Sequence, residues 1–328
     1  MFSRVLSRRQ FLGLAAAVAL AGAGRISGQD IEAEPLIVTR MRADLEQTIG
    51  GLGIALDFRA IDSQYNEAFR IQINADRLMP VASCFKAFIV PYYLLNTPPS
   101  EWDYGENSLL YSTAVHSSNG ATGVVLDNVA RRVPGSENAI VKFNNFLRWM
   151  GLVNGLHTWN WVNSPTEGLS DPRFAPSLVT GRVVRLRGEA FQVDNAFTAA
   201  DLARGHDFIT RGEYFTRSER IREALRVTKE ILSIPSLATN YWSPIERVFP
   251  AGYTGKDGIL PASDIQTGRV VNDAGALQVG NTTYLVAFMS AGESESTAIN
   301  VLREVIRQMD VYAQAVGDVR LEGQQYGS

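Results

Sequence analysis

A single cysteine, Cys84, stands among 328 residues, so no disulfide can form within the chain. Its place on an apolar run reads as that of a small buried hydrophobe. The three histidines are scattered, without the spacing of ligands, which argues against a metal centre. Charge of either sign is also in short supply. Lys and Arg number 31 and Asp and Glu 34, a net −3, so there is no electrostatic case for nucleic acid or an anionic membrane. The short clusters Arg131-Arg132 and Arg182, Arg185, Arg187 read as solvated faces. Internal repeats and low-complexity tracts are absent. What is left, 45% hydrophobic and 20% charged residues, describes a globular protein with a substantial core. Its length suits one large domain or two ordinary ones.

The first thirty residues read as a processing segment. Ser7-Arg8-Arg9-Gln10-Phe11-Leu12 precedes an apolar stretch, Leu14 to Ala23, in the manner of a twin-arginine export signal. That stretch is too short for a membrane span, and Ala19-Leu20-Ala21 and Ala21-Gly22-Ala23 are candidate cleavage sites. An uncleaved N-terminal anchor is the alternative. Export to the periplasm or the extracellular space is expected.

Apolar residues then recur at helical spacing from Pro35 to Gly50. Leu52 to Phe58 and Glu67 to Ile73 read as a hairpin joined by Asp62-Ser63-Gln64-Tyr65-Asn66. A helix beginning at about Ser83 is expected to kink at Pro91, which lacks an N–H for Ala87. Amphipathic helices are expected over Ala139 to Met150, Ala199 to Thr210 after a Thr198 cap, and Arg217 to Leu232. Between them, Asn154 to Asn195 is long, irregular and proline-containing. From Arg247 the period changes to two: Val248 to Gly255, Gly268 to Val279 and Thr283 to Ser290 read as strands, and Ser294 to Val316 as a last helix. Strands at both ends of a helical middle predict an α+β fold, with one five-stranded sheet assembled from both ends of the chain. The expected division is a segment over 1–30, one domain over 31–316 (sheet part 35–80 and 245–316, helical part 83–244) and a polar tail over 317–328.

Three fragments carry possible chemistry. Ser83 and Lys86 lie three apart, on one face of a helix that begins at Ser83. There a serine has a free backbone N–H and the positive end of the dipole. A lysine made neutral by burial or a second cation could take its proton. Ser-x-x-Lys alone turns up by chance about once in a chain of this length, and the same residues read as an N-cap followed by a solvated lysine. The second fragment, Ser117-Ser118-Asn119, offers a hydroxyl for proton relay and an amide for a substrate carbonyl, or simply a polar turn. The third, Lys256-Asp257-Gly258 at the end of an expected strand, offers the second cation, or an ordinary turn.

In this order the fragments resemble the Ser-x-x-Lys, Ser-Asp-Asn and Lys-Thr-Gly motifs of the serine β-lactamase and penicillin-binding protein superfamily, nearest the class A β-lactamases. Phe197 to Arg204, ending in Leu-Ala-Arg, and Val271-Asn272-Asp273-Ala274-Gly275 extend the resemblance across most of Pro35 to Val316. The resemblance implies a serine hydrolase without metal or cofactor. Ser83 would be the acyl-forming nucleophile, Lys86 its base, Ser117 the relay to the leaving group and Asn119 the group that orients the substrate amide. Lys256 would supply positive potential, and the backbone N–H groups of Ser83 and Ile259, next to Gly258, the oxyanion hole. The implied substrate is a small-molecule or peptidoglycan-derived acyl compound, and a monomer is expected.

Three departures bear on substrate and turnover. Ser118 stands where the family usually has Asp. Asp257 stands where it has Thr or Ser, whose hydroxyl helps bind the β-lactam carboxylate. A carboxylate about 4 Å from Asp257 would meet a repulsion of roughly 4 kcal/mol before relaxation, offset in part by Lys256 and by Arg269 on the next strand. A neutral or cationic acyl substrate suits Asp257 better. The third departure is the deacylating glutamate. Aligning on Leu169 puts Thr166 at its place and Ser170 at the following asparagine, with Glu167 one position off. Glu167 is the candidate base, and without one water attack on the acyl-enzyme is slow. The expected function is acyl-transfer hydrolysis with weak β-lactam turnover. A D-Ala-D-Ala peptidase or transpeptidase and a non-catalytic sensing module are the alternatives.

Overall fold

Leu36–Ile49 forms the first helix, α1, and buries Met41, Leu45 and Ile49 of the expected apolar set together with Val38, while Leu36 of that set is exposed. This computed structural model describes residues 34–154, 156–157, 179–180, 183–186, 189–191, 195–235, 252–260 and 269–317. Strands β1 (Ile54–Ile61) and β2 (Glu67–Ile73) make the expected hairpin, its loop tied by Asp62, whose carboxylate accepts from the backbone of Gln64 and Asn66. The two-residue strand β3 (Met79–Pro80) leads to a 3₁₀ turn, Ala82–Phe85, and then to α2 (Lys86–Asn96).

Helices α3 (Leu109–Ala114), α4 (Asn119–Ala130) and α5 (Ala139–Trp149) follow, with N-caps Ser108, Ser118 and Asn138, each accepting a backbone N–H with its side-chain oxygen. Short strands β4 (Leu156–His157), β5 (Val179–Thr180), β6 (Val183–Leu186), β7 (Glu189–Phe191) and β8 (Asn195–Phe197) lie between α5 and the pair α6 (Ala199–Phe215) and α7 (Glu219–Leu232). Strands β9 (Tyr253–Leu260), β10 (Val270–Val279) and β11 (Thr282–Ser290) and helix α8 (Glu295–Ala315) complete the described chain. The main sheet is antiparallel in the order β2-β1-β11-β10-β9, so strands from both ends of the chain do share one sheet. The small sheets are β3-β8-β4 and β5-β6-β7.

The alternation of side chains along each strand decides which layer it meets. Leu56, Phe58, Tyr284, Val286 and Phe288 face α1 and α8, whose Leu45, Leu302, Val305 and Met309 cover them. Ala55, Ala274, Ala287 and Met289 face the helical layer built around Phe88, Phe143 and Leu202. Burial of each such Leu, Val or Phe is worth about 1.5–3 kcal/mol. Small residues on the second face allow α6 to approach, and Gly205 of α6 lies so near the Phe88 ring that a Cβ would sit 2.4 Å from it.

Pro91 is buried within α2, which runs on to Asn96, with Phe88, Ile89, Tyr92 and Leu95 buried around it. Three sequence expectations are corrected. The helix after β3 begins as a 3₁₀ turn, and only Lys86 opens the α-helix proper. The helix after Thr198 runs to Phe215 rather than Thr210, and Thr198 caps it as expected. The Lys256 triplet lies inside β9, because the strand begins at Tyr253 and is hydrogen-bonded to β10 along its length. The first thirty residues, the end of the tail and Glu167 lie outside the described residues. Among the described residues no helix is long and apolar enough to cross a membrane.

Candidate active site

The turn that carries Ser83 is pinned from both sides. Asn272 of β10 donates from its side-chain amide to the Pro80 carbonyl (2.8 Å) and accepts the Ser290 N–H (3.0 Å), tying the entry of the turn to two sheet strands. Val81 donates its backbone N–H to Asn195 of β8. Between these ties Ala82 takes φ +50°, a left-handed conformation that costs a non-glycine residue about 1–2 kcal/mol. Ser83 comes next, half-buried, while the neighbouring Cys84 is fully buried. Burial pushes the Cys84 thiol well above its ordinary pKa, with Asp273 and Asp257 adding to the shift, so it stays protonated.

Lys86 is wholly buried at the start of α2. Its ammonium donates to the Ser117 carbonyl (2.5 Å), the Ser117 hydroxyl (3.2 Å) and the Asn119 side-chain oxygen (2.7 Å). The first two fragments therefore meet at one nitrogen. Ser117 is held at φ +55° just before the Ser118 cap of α4, which turns its carbonyl and hydroxyl toward the same cation. Asn119 opens α4 and is exposed apart from this contact.

Edge strand β9 supplies the third fragment. Gly258 lies against the nucleophile turn: a Cβ there would stand 2.6 Å from the Ser83 backbone nitrogen and 2.9 Å from that of Cys84, so only glycine permits the approach. Ile259 follows it, half-buried and opposite Val271. Lys256 is buried and donates to the Asp257 carboxylate (Nζ to Oδ1 2.6 Å); consecutive residues point to opposite faces, so the two side chains meet around the strand's edge. Asp257 pairs in register with Asp273, whose carboxylate accepts the Tyr253 hydroxyl. Arg269, expected to offset Asp257, pairs with Glu295 in the first turn of α8. It precedes Val270, which opposes Leu260, so the register sets it beyond the Asp257 position.

Electrostatics follow from this packing. Burial lowers the Lys86 pKa, the Lys256 charge lowers it further, Asp257 works in the other direction, and the result is about 7. At neutral pH the amine is thus available as a base. A reaction that uses this amine as its base is expected to speed up about tenfold per pH unit below pH 7 and to level off above it, as the unprotonated amine becomes the main form. Pre-steady-state rates measured from pH 5 to 9 check this.

No protein-family model and no curated protein matches the sequence. Solved structures do. A β-lactamase from Sphaerobacter thermophilus superposes with a TM-score of 0.53 at 16% identity, over 86% of this chain and 97% of that one. One from Chitinophaga pinensis gives 0.55 at 12%, over 84% and 99%. A representative class A β-lactamase from Bacteroides cellulosilyticus gives 0.54 at 13%, over 84% and 99%. The chain has the class A β-lactamase fold. Within it, the β-lactamase-like framework brings Lys86, Ser117 and Asn119 into contact and sets Gly258 on the Ser83 backbone, with the Lys256–Asp257 pair one residue away. Glu167, with Thr166 and Ser170, is outside the described residues. Sequence reading assigned no role to the Asn272 clamp, the Gly258 approach or the Asp257–Asp273 register. An Asn inside the apolar run of β10 was the available signal, since a buried amide must find partners.

Proposed function

We propose that this chain is an exported serine hydrolase that opens an amide or ester by acyl transfer through Ser83, with β-lactams as the first substrates to test. The observation that carries the reading is the buried Lys86 amine, one turn beyond Ser83, bonded to Ser117 and Asn119. In the proposed reaction Lys86 Nζ takes the Ser83 hydroxyl proton while Oγ bonds to the substrate carbonyl carbon. The resulting oxyanion is held by the N–H groups of Ser83 and Ile259. Collapse breaks the carbon–nitrogen or carbon–oxygen bond, and the proton passes from Lys86 through Ser117 to the leaving group. Water then cleaves the Ser83 ester, releasing the acid and restoring the hydroxyl, with Glu167 as the proposed base. The Arg8-Arg9 segment supports export before function.

The test is intact-mass spectrometry after exposure to nitrocefin, a penicillin and a simple activated ester. One adduct per chain, mapped to the peptide containing Ser83, is expected in samples quenched early in the reaction. No adduct together with no consumption of any of the three compounds, or an adduct on another residue, overturns the proposal. The lifetime of the adduct then sorts a hydrolase, which clears it, from a penicillin-binding peptidase, which retains it.

A further inference from the structure

We infer that Asp257 makes this site select its acyl donor by charge, favouring neutral and cationic donors over those with a carboxylate beside the scissile bond. This rests on the acyl-transfer reading and adds its substrate class. The cation next to the nucleophile on β9 is already neutralised: Lys256, with only 4% of its side chain exposed, donates to Asp257 at 2.6 Å. An incoming carboxylate would have to share that ammonium with Asp257 and lie beside its charge. It would add a further negative charge where Asp257 and Asp273 already stand opposite each other across the β9–β10 register, and like charges on a sheet repel. The nearby Arg269 guanidinium is engaged with Glu295.

A ligand ammonium meets the reverse situation. The Asp257 side chain is 11% exposed at the edge strand β9, and its carboxylate can attract a second cation by charge without leaving Lys256. The Lys86 ammonium is already committed to Ser117 and Asn119, so it does not supply a separate anion site. Buried and partly buried charges are poorly screened, which makes this edge a discriminating one.

Three p-nitrophenyl esters of equal chain length test the inference, ending in a trimethylammonium, a methyl or a carboxylate group. The Ser83 acylation rate is read from the nitrophenolate burst. Wild-type protein is expected to react at least tenfold faster with the cationic than with the anionic ester at low salt, with the gap narrowing as salt is added. Asp257→Thr and Asp257→Asn are each expected to shrink the cationic-to-anionic ratio at least tenfold, their folding checked by thermal melts. A wild-type rate for the anionic ester equal to or above the cationic one overturns the inference, whether or not the variants fold. So does a ratio left unchanged in a folded variant. Failure of the neutral ester to acylate Ser83 has a different signature: it overturns the acyl-transfer reading itself.

Discussion

Replacing Lys86 by methionine is expected to lower the rate of Ser83 acylation by about 10²–10⁴, the usual contribution of a positioned general base. Methionine keeps much of the length and apolar bulk of the stem, so the hole left in the buried site is small. What disappears is the one amine that gathers the Ser117 carbonyl, its hydroxyl and the Asn119 side chain. The variant should therefore lose rate without losing its fold. It should also lose the pH limb near 7 that the depressed pKa of Lys86 creates. Burst kinetics from pH 5 to 9, beside a thermal melt, check both statements. A variant that acylates at the wild-type rate with the same pH limb would remove Lys86 from the mechanism.

The second large effect concerns stability. Asp57 of β1 is completely buried on the sheet face toward the helical layer. It accepts a two-point bond from Arg59 (2.6 and 3.0 Å), and further bonds from Arg70 (2.8 Å) and Gln72 (2.6 Å). Arg59 is itself almost wholly buried and lies 3.9 Å from Asp207 of α6. Burial works against the Arg59 charge, but Asp57, with Asp207 and Glu67, outweighs it and raises the guanidinium pKa. Asp57→Ala removes that cation's nearest partner and leaves it only the more distant Glu67 (3.8 Å) and Asp207 (3.9 Å), and breaking a buried pair in this way costs about 3–5 kcal/mol. This is a large share of the 5–15 kcal/mol that holds a domain folded. A lower urea midpoint with unchanged slope is expected in equilibrium unfolding. The loss should reach the site only indirectly, because Arg59 joins the sheet to α6, and α6 in turn packs Gly205 against Phe88 of α2.

How far the sequence could be read depended on the range of the interactions. Amphipathic spacing and capping residues located α1, α5, α7 and α8 within a residue or two, because helices are built from neighbours in the chain. Strand alternation did the same for β2, β10 and β11. Local pattern predicts a strand over Val248 to Gly255, whereas β9 begins at Tyr253 and carries the Lys256 triplet in its interior. Its pairing with β10 is a long-range fact that local pattern does not contain.

The candidate site divides along the same line. The residue types of the three fragments, their order and the suitability of a serine followed by a lysine one turn later are properties of the chain itself, as is the presence of an acid at Asp257. That Lys86 is dry enough to titrate near 7, that Ser117 and Asn119 share its ammonium, and that Asp257 takes Lys256 for itself while Arg269 goes to Glu295 were decided only by the packed molecule. Burial and strand register set the strength of a charge and the identity of its partner, and both arise only when separate segments, such as those carrying Lys86, Ser117 and Lys256, meet in space.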